Sequence, residues 1–219
     1  KLIDEYGADS VRFGMLSCSP AGGDLLYDDK LVEQGRNFCN KLWNIVRLVQ
    51  SWEVDTNLKT SAANKSAIDW FEQCYLKSVK EIETKYDDYR LSEALIGVYS
   101  LVWNDFASWY LEMVKPEYQK AIDQETKTAT LNFLSKLCTV LHPFMPFITE
   151  EIWHIIKDRN EGEDCIVSTY PSVETFDTSI LAQNELFQTI VSKVSGDLTS
   201  MVCRAVYDVE ENILYRVSE

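Results

Sequence analysis

The feature that most constrains the fold is an amphipathic stretch between residues 28 and 52. At about 100° per residue, measured from Arg36, its apolar side chains fall on one arc of about 180° to 280°. That arc holds Leu31, Phe38, Leu42, Ile45, Val46 and Val49. This period predicts a long helix with one side buried against other helices. Asp28 or Asp29 is the expected N-cap.

The opposite side of this predicted helix is expected to carry only cations and amides, with no carboxylate. An arc of about 0° to 140° holds Lys30, Arg36, Asn37, Asn40, Lys41, Asn44 and Arg47. Residues 30–50 contain four cations and one anion, Glu33, which gives a local charge of +3 in a chain whose net charge is −14. That acidity argues against a general nucleic-acid binder, because phosphate contacts need clustered cations. The positive arc is either a solvated face or the attachment surface for one polyanion.

Composition narrows the class of protein. With 219 residues and 46% hydrophobic content, the chain can form one large domain, or one domain with a small appendage. Its six cysteines are scattered without a C-x-x-C pair, which favours reduced thiols and a cytoplasmic location. No apolar run reaches the roughly 18 residues that a membrane span needs, so no membrane partner is expected. Because the chain enters a helical pattern directly at Lys1, it is expected to be part of a larger protein.

The rest of the chain is predicted to be mostly helical. Further helices are expected over residues 2–17, 66–87, 91–114, 126–141, 147–158 and 181–194, with extended segments at 24–27 and 165–170 and two strands at 201–208 and 213–217. Gly7 and Ala8 are small enough to let another backbone approach closely. The predicted fold class is mainly α, a helix bundle followed by a small mixed α/β C-terminal tail.

The catalytic inventory is poor. His142 and His154 are twelve residues apart, and neither histidine nor cysteine spacing matches a metal site. No phosphate-binding or nucleophile motif occurs. We therefore predict no catalytic residue, no metal ligand and no cofactor in this chain. The aromatic run from Trp103 to Tyr110 is either a base-stacking platform or a buried stripe, and its spacing favours the stripe.

Several segments, in this order, resemble the class I aminoacyl-tRNA synthetases. The matching residues are Tyr6-Gly7-Ala8-Asp9, Arg12-Phe13, Gly23-Asp24, Arg36-Asn37-Phe38, Asn40-Lys41-Leu42-Trp43-Asn44, Asp105-Phe106, Trp109-Tyr110, Glu112, Lys115-Pro116, Leu141-His142-Pro143-Phe144-Met145-Pro146-Phe147, Glu150-Glu151 and Trp153. The form N-F-x-N-K-L-W-N is similar to the valine-specific members rather than to those for isoleucine or leucine.

The resemblance implies an anticodon-binding helical domain at residues 28–171. Residues 1–27 would be a connecting helix and crossover after the catalytic domain, and residues 172–219 an α/β appendage. The partners would be tRNA(Val) and the catalytic domain of the same chain. The H-I-G-H and K-M-S-K-S signatures are missing from this sequence. ATP and Mg²⁺ would therefore belong to the parent enzyme, a valine–tRNA ligase, and this chain alone would bind tRNA without aminoacylating it.

The resemblance also implies tRNA contacts at Lys30, Lys41 and Leu48, which share one stripe at about 120° to 140°. Lysine and leucine replace an arginine and an aromatic residue of related enzymes at positions 30 and 48. The candidate tRNA-binding residues are Lys30, Arg36, Asn37, Asn40, Lys41, Asn44, Arg47 and Leu48. Phe38 and Leu42 would hold the helix to the bundle. Two alternatives remain, namely the same domain from an isoleucine or leucine enzyme and a structural helical protein-interaction module.

Overall fold

The computed structural model describes residues 1–19 and 27–194, and within these ranges the predicted mainly α fold is confirmed. The helices are α1 (Leu2–Tyr6), α2 (Ala8–Ser17), α3 (Asp29–Gln50), α4 (Ala62–Asp87), α5 (Leu91–Ser100), a π-helical segment (Leu101–Tyr110), α6 (Leu111–Val114), α7 (Gln124–Leu141), α8 (Pro146–Ile155), a 3₁₀ turn (Cys165–Val167) and α9 (Thr178–Val194). In that part of the chain, the sole β-type pairing is an isolated bridge between Val54 and Ile122.

The helix predicted over residues 2–17 is in fact two helices. Gly7 separates α1 from α2 with a φ of 86°, a backbone conformation that L side chains rarely adopt. The close backbone approach expected at Gly7 occurs at Gly35 of α3 instead. A Cβ atom on Gly35 would lie 2.8 Å from the carbonyl oxygen of Ser10, whereas one on Gly7 would meet nothing within 4 Å. Gly35 therefore lets α3 pack tightly on α2.

Helix α3 begins where the sequence predicted, because the Asp28 side chain accepts a hydrogen bond from the backbone N–H of Lys30 (2.9 Å). Its inner face is buried as predicted except at Leu31, which is half-buried while the neighbouring Val32 is in the core. Phe38 and Val49 are fully inaccessible to solvent. Helix α4, the longest, starts at a Ser61 cap whose hydroxyl accepts from the N–H of Asn64 (3.0 Å).

The helix predicted over residues 91–114 exists, but its middle ten residues are π-helical. The buried interpretation of its aromatic run is largely confirmed. Phe106 and Tyr110 are fully buried against Phe71 of α4, with ring centroids 5.1 Å apart in both pairs, while Trp103 and Trp109 are half-buried. Lys115-Pro116 ends α6, because proline disfavours helical geometry in the residue before it.

Two residues of α2 fix the turn between α7 and α8. The Asp9 carboxylate accepts from the backbone N–H of Ile148 (2.7 Å), which caps the start of α8, and burial raises the pKa of Asp9. The Arg12 guanidinium donates to the carbonyl oxygens of Pro143 (2.9 Å) and Phe144 (3.0 Å). Through these contacts, Asp9 and Arg12 hold the turn at residues 142–146 and the start of α8 against α2.

The C-terminal part differs from prediction most clearly at residues 165–170, and α8 also ends at Ile155 rather than at residue 158. Residues 165–170 were expected to be extended, but Cys165–Val167 form a 3₁₀ turn because the N–H groups of Val167 and Ser168 donate to Asp164 (3.2 Å) and Cys165 (3.0 Å). Helix α9 is confirmed and packs on α4. The segment at 24–26 and the two strands beyond 200 lie outside the described residues. The domain boundaries at 28 and 172 stay a prediction.

No helix among the described residues is long and apolar enough to cross a membrane. The described cysteines are Cys18, Cys39, Cys74, Cys138 and Cys165, all free thiols, and burial raises the pKa of Cys39 to about 11.

Candidate nucleic-acid interface

The outer face of α3 is open to solvent, as its polar arc predicted. Exposed side chains on it are Lys30, Arg36, Asn37, Asn40, Asn44, Arg47 and Leu48, whereas Lys41 is half-buried. Phe38 and Leu42 point into the core. In the N-F-x-N-K-L-W-N segment at residues 37–44, the apolar side is therefore buried and the asparagine side exposed, as expected. Trp43 lies at the boundary with 41% of its surface exposed.

Within the described ranges, the four cations of α3 form no ion pair with a carboxylate: Lys30, Arg36, Lys41 and Arg47 are absent from every short Lys/Arg–carboxylate contact there. The amides of Asn37, Asn40 and Asn44 likewise make no hydrogen bond to another described residue. Cations and amides left open to water can neutralise phosphates or bond base edges without first breaking an internal contact.

The positive arc is not free of negative charge. Glu33 is exposed and falls at about 60° on the same projection, between the cations. It lies in the N-terminal third of α3, away from Lys41 and Arg47 by two turns or more. The carboxylate therefore weakens the positive field around Lys30 and Arg36 more than the field around Arg47.

Two cations of α3 rest on aromatic rings instead of carboxylates. The Lys41 ammonium lies 4.9 Å from the centroid of Trp103, and the Arg36 guanidinium lies 6.0 Å from that of Tyr6. Trp103 in turn stacks on Tyr99 (5.5 Å between centroids, 18° between planes). Such contacts orient a cation without neutralising it. The role of Trp103 beside Lys41 was missed, because residue spacing does not show which element faces α3.

Leu48, an exposed apolar residue, lines a cavity of about 390 Å³. The cavity lies between the C-terminal end of α3 and the loop from Lys115 to Lys120. Tyr118 is 91% exposed at this loop, and Gln119 has a φ of 62°. The cavity is lined by apolar, aromatic and charged groups, but its lysines Lys115 and Lys120 are paired with Glu112 and Glu117. Its apolar and aromatic walls suit the face of a planar base, whereas the paired charges add little attraction for a phosphate. The loop residues 117–120 carried no sequence signal that marked them as part of a site.

The two histidines lie in different surroundings. His142 Nδ1 is 2.8 Å from the Thr149 hydroxyl at the end of α7, a structural contact. His154 is different, because the structure brings it together with Glu150 and Asp164, with their ligand atoms all within 4.8 Å of one another. Residue spacing does not predict this cluster, because Asp164 comes from a separate loop.

Comparisons with known proteins agree with these observations. A family model described as the anticodon-binding domain of tRNA ligase matches residues 69–211, starting within α4. The chain is 51% identical over 197 residues to a valine–tRNA ligase of Bacteroides thetaiotaomicron, covering 89% of this chain and 22% of that protein. Valine–tRNA ligases of Parabacteroides distasonis (47%, covering 89% and 22%) and Phocaeicola vulgatus (53%, covering 76% and 19%) are also similar.

Each of these relatives is thus several times longer than the part it shares with this chain. The family match covers α4 to α9 and therefore most of the buried core, whereas α3 and its outer face precede the matched range. The match over residues 69–211 covers more than half of the chain, and the described residues form a helix bundle, so the chain belongs to the anticodon-binding domain family of tRNA ligases.

Proposed function

We propose that this chain is the anticodon-binding region of a valine–tRNA ligase and that the outer face of α3 binds tRNA(Val). The observation that carries this proposal is the set of α3 cations without carboxylate partners among the described residues, in a chain whose net charge is −14. Negative charge elsewhere would repel other polyanions while this face attracts one. The valine–tRNA ligase relatives support the amino-acid identity.

The tRNA-binding residues that we propose are Lys30, Arg36, Asn37, Asn40, Lys41, Asn44, Arg47 and Leu48. The cations would neutralise phosphates and set the position of the tRNA, while the three amides would donate to and accept from base edges. The cavity beside Leu48 would accept an unstacked base. Its neighbour Lys115 is already paired with Glu112 (2.5 Å), so the loop adds shape more than free charge.

In the whole enzyme, this region would hold the tRNA while the catalytic domain of the same chain attaches valine with ATP and Mg²⁺. Residues 1–27 would connect the two domains, residues 28–171 would form the tRNA-binding bundle, and residues 172–219 would be an appendage. We place the enzyme in the cytoplasm. This chain alone would bind tRNA more weakly than the whole enzyme, because it lacks the contacts to the acceptor end that add avidity.

Charge reversal on α3 tests the proposal. Lys41→Glu should weaken binding of tRNA(Val) to the chain at low salt by about tenfold, since it removes one attraction and adds one repulsion. Fluorescence anisotropy of labelled tRNA would measure it. Lys65→Glu, an exposed lysine of α4, is the matched control and should change affinity little. Equal affinity of the Lys41 variant and the unmodified chain would contradict the proposal.

A panel of tRNAs separates the alternatives. The valine assignment expects tighter binding of tRNA(Val) than of tRNA(Ile) or tRNA(Leu). A preference for one of the other two would reassign the chain to that enzyme, and no binding of any tRNA would favour a protein-interaction module.

A further inference from the structure

Three side chains from two segments converge beside the C-terminal end of α8. His154 Nε2 lies 3.3 Å from Glu150 Oε1 and 3.1 Å from Asp164 Oδ1. A tetrahedral ion with nitrogen and oxygen ligands at about 2.0–2.1 Å separates neighbouring ligand atoms by roughly 3.3 Å. The two distances therefore match the edges of such a coordination sphere, and the three atoms all lie within 4.8 Å of one another.

The backbone determines the positions of the Glu150 and His154 side chains. Glu150 and His154 are four residues apart on α8, so their side chains share one face of the helix. Glu150 Oε1 also accepts the backbone N–H of Cys165 (2.7 Å), which fixes the carboxylate while leaving it a second lone pair. Partners of this kind orient a metal ligand before the ion arrives.

The loop that returns Asp164 to α8 is fastened at two points. The Trp153 indole N–H donates to the carbonyl oxygen of Glu163 (2.7 Å), next to Asp164. The Arg159 guanidinium lies 3.4 Å from the centroid of the Trp153 ring, and its Nε donates to the Trp153 carbonyl oxygen (2.9 Å). Asp164 is thereby held opposite His154 by contacts that do not involve the three ligand atoms.

The two carboxylates of the cluster, Glu150 and Asp164, favour a bound cation. A neutral imidazole offers one N–H at Nε2, which cannot fully satisfy two carboxylates on the same side. His142 Nε2 lies 4.0 Å from the second oxygen of Glu150, too far for a hydrogen bond. The side chains of Glu150, His154 and Asp164 are 30%, 43% and 47% exposed, so an ion and its remaining water ligand can enter from solvent.

We propose that Glu150 Oε1, His154 Nε2 and Asp164 Oδ1 bind one Zn²⁺ ion, with water in the remaining position. An imidazole with two carboxylates suits Zn²⁺, whereas Mg²⁺ and Ca²⁺ prefer sites built of oxygen alone. The ion would join residues 156–164 to α8. Helix α8 is itself tied to the end of α3, because the Gln50 side-chain amide donates to the Ile155 carbonyl oxygen (3.0 Å).

Calorimetric titration of ZnCl₂ into the chelator-treated, reduced full chain tests this site. The expected result is one ion per chain and a thermal midpoint that rises with Zn²⁺, because the ion binds the folded state. His154→Gln and Asp164→Asn should each lower the affinity by roughly tenfold or more. Glu151→Gln is the matched control, since it removes the exposed neighbour of Glu150 and should leave the affinity unchanged.

Other outcomes would overturn the proposal. Binding that persists in both ligand variants, or Co²⁺ absorption bands from thiolate ligation, would place the ion on cysteines. Equal competition by Mg²⁺ or Ca²⁺ would indicate an acidic surface without a built site. No binding of Zn²⁺ would contradict the proposal directly. Circular dichroism on both variants ensures that loss of binding is not loss of folding.

Discussion

Helices α3 and α4 carry the same number of cations but use them differently. Helix α3 has four cations and two carboxylates, a net charge of +2, while α4 has four cations and five carboxylates, a net charge of −1. In α4, Lys85 binds Glu93 (2.8 Å) and Lys80 donates to the Glu174 carbonyl oxygen (2.6 Å). Two of the four α4 cations thus serve contacts within the bundle, whereas Lys65 in the first turn of the helix is exposed.

The side chains of the α3 cations make no ion pair or hydrogen bond with other described residues, although Arg36 and Lys41 lie over aromatic rings. This difference teaches that the net charge of the whole chain is a poor guide to a polyanion-binding surface in an acidic protein. What matters is whether cations on one face already have anionic partners, because a paired lysine must give up its partner before it can bind phosphate. Only the structure shows that pairing, since residue counts alone do not distinguish the cations of the two helices.

The largest expected effect concerns the inner faces, where the two helices should behave alike. Phe38 of α3 and Phe71 of α4 are both fully buried. Phe38→Ala and Phe71→Ala should each lower the free energy of unfolding by about 3–5 kcal/mol, because each leaves a cavity in the core. Urea denaturation would measure both.

Asn40→Ala on the outer face of α3 is the control and should change stability by less than about 0.5 kcal/mol. A much smaller loss for Phe38→Ala than for Phe71→Ala would break the comparison. It would mean that α3 is held less firmly than α4, so the exposed cations could move with the helix.

The sequence predicted what depends on neighbouring residues. The 3.6-residue period identified the buried face of α3, Asp28 was identified as a candidate cap, and Lys115-Pro116 fixed the end of α6. The aromatic run was correctly assigned mainly to the core, but nothing in its spacing distinguishes π-helical from α-helical winding. The positive φ of Gly7 was also missed, because a glycine inside a helical pattern fits either a continuous helix or a break.

The rest of the site depends on contacts between distant segments. Leu48 was singled out from the sequence, but the loop that completes its cavity is more than 60 residues away. Trp103 beside Lys41 and Asp164 beside His154 are likewise set by packing. Glu33 is a different case, because its angle on the helix follows from the sequence alone. The expectation of an arc without carboxylates was wrong, since Glu33 lies within it.

A second prediction, with an effect of intermediate size, concerns Asp105, a half-buried carboxyl group whose charge interacts with Lys77 of α4. Burial raises the pKa of Asp105 to about 6, while Lys77 of α4 opposes that shift. A carboxyl group whose folded pKa is raised binds more protons folded than unfolded, so its contribution to stability falls as pH rises from about 4 to 6. Asp105→Asn should therefore raise the free energy of unfolding by about 3 kcal/mol at pH 7.

The same substitution should bring no gain near pH 4, where the wild-type group is protonated in the folded state. Denaturation at the two pH values would measure the difference. An equal effect at both would contradict the raised pKa of Asp105 and would indicate that the attraction of Lys77 offsets the burial more fully.

The smallest expected effect compares the caps of the two helices. Asp28 caps α3 and Ser61 caps α4, each by accepting a backbone N–H, so Asp28→Ala and Ser61→Ala should each cost about 1 kcal/mol of stability. Asp28→Asn keeps an acceptor but removes the charge, and should lose only about 0.3–1 kcal/mol of favourable interaction with the helix dipole. Thermal denaturation would measure the stability changes.

The Asp28→Asn variant also tests binding, because it removes a carboxylate beside Lys30. If the outer face of α3 attracts phosphate, Asp28→Asn should bind tRNA slightly more tightly than the unmodified chain at low salt, even though it folds less stably. Opposite signs for stability and affinity in one substitution would separate the two roles of α3, and a parallel loss of both would argue that its outer face only supports the fold.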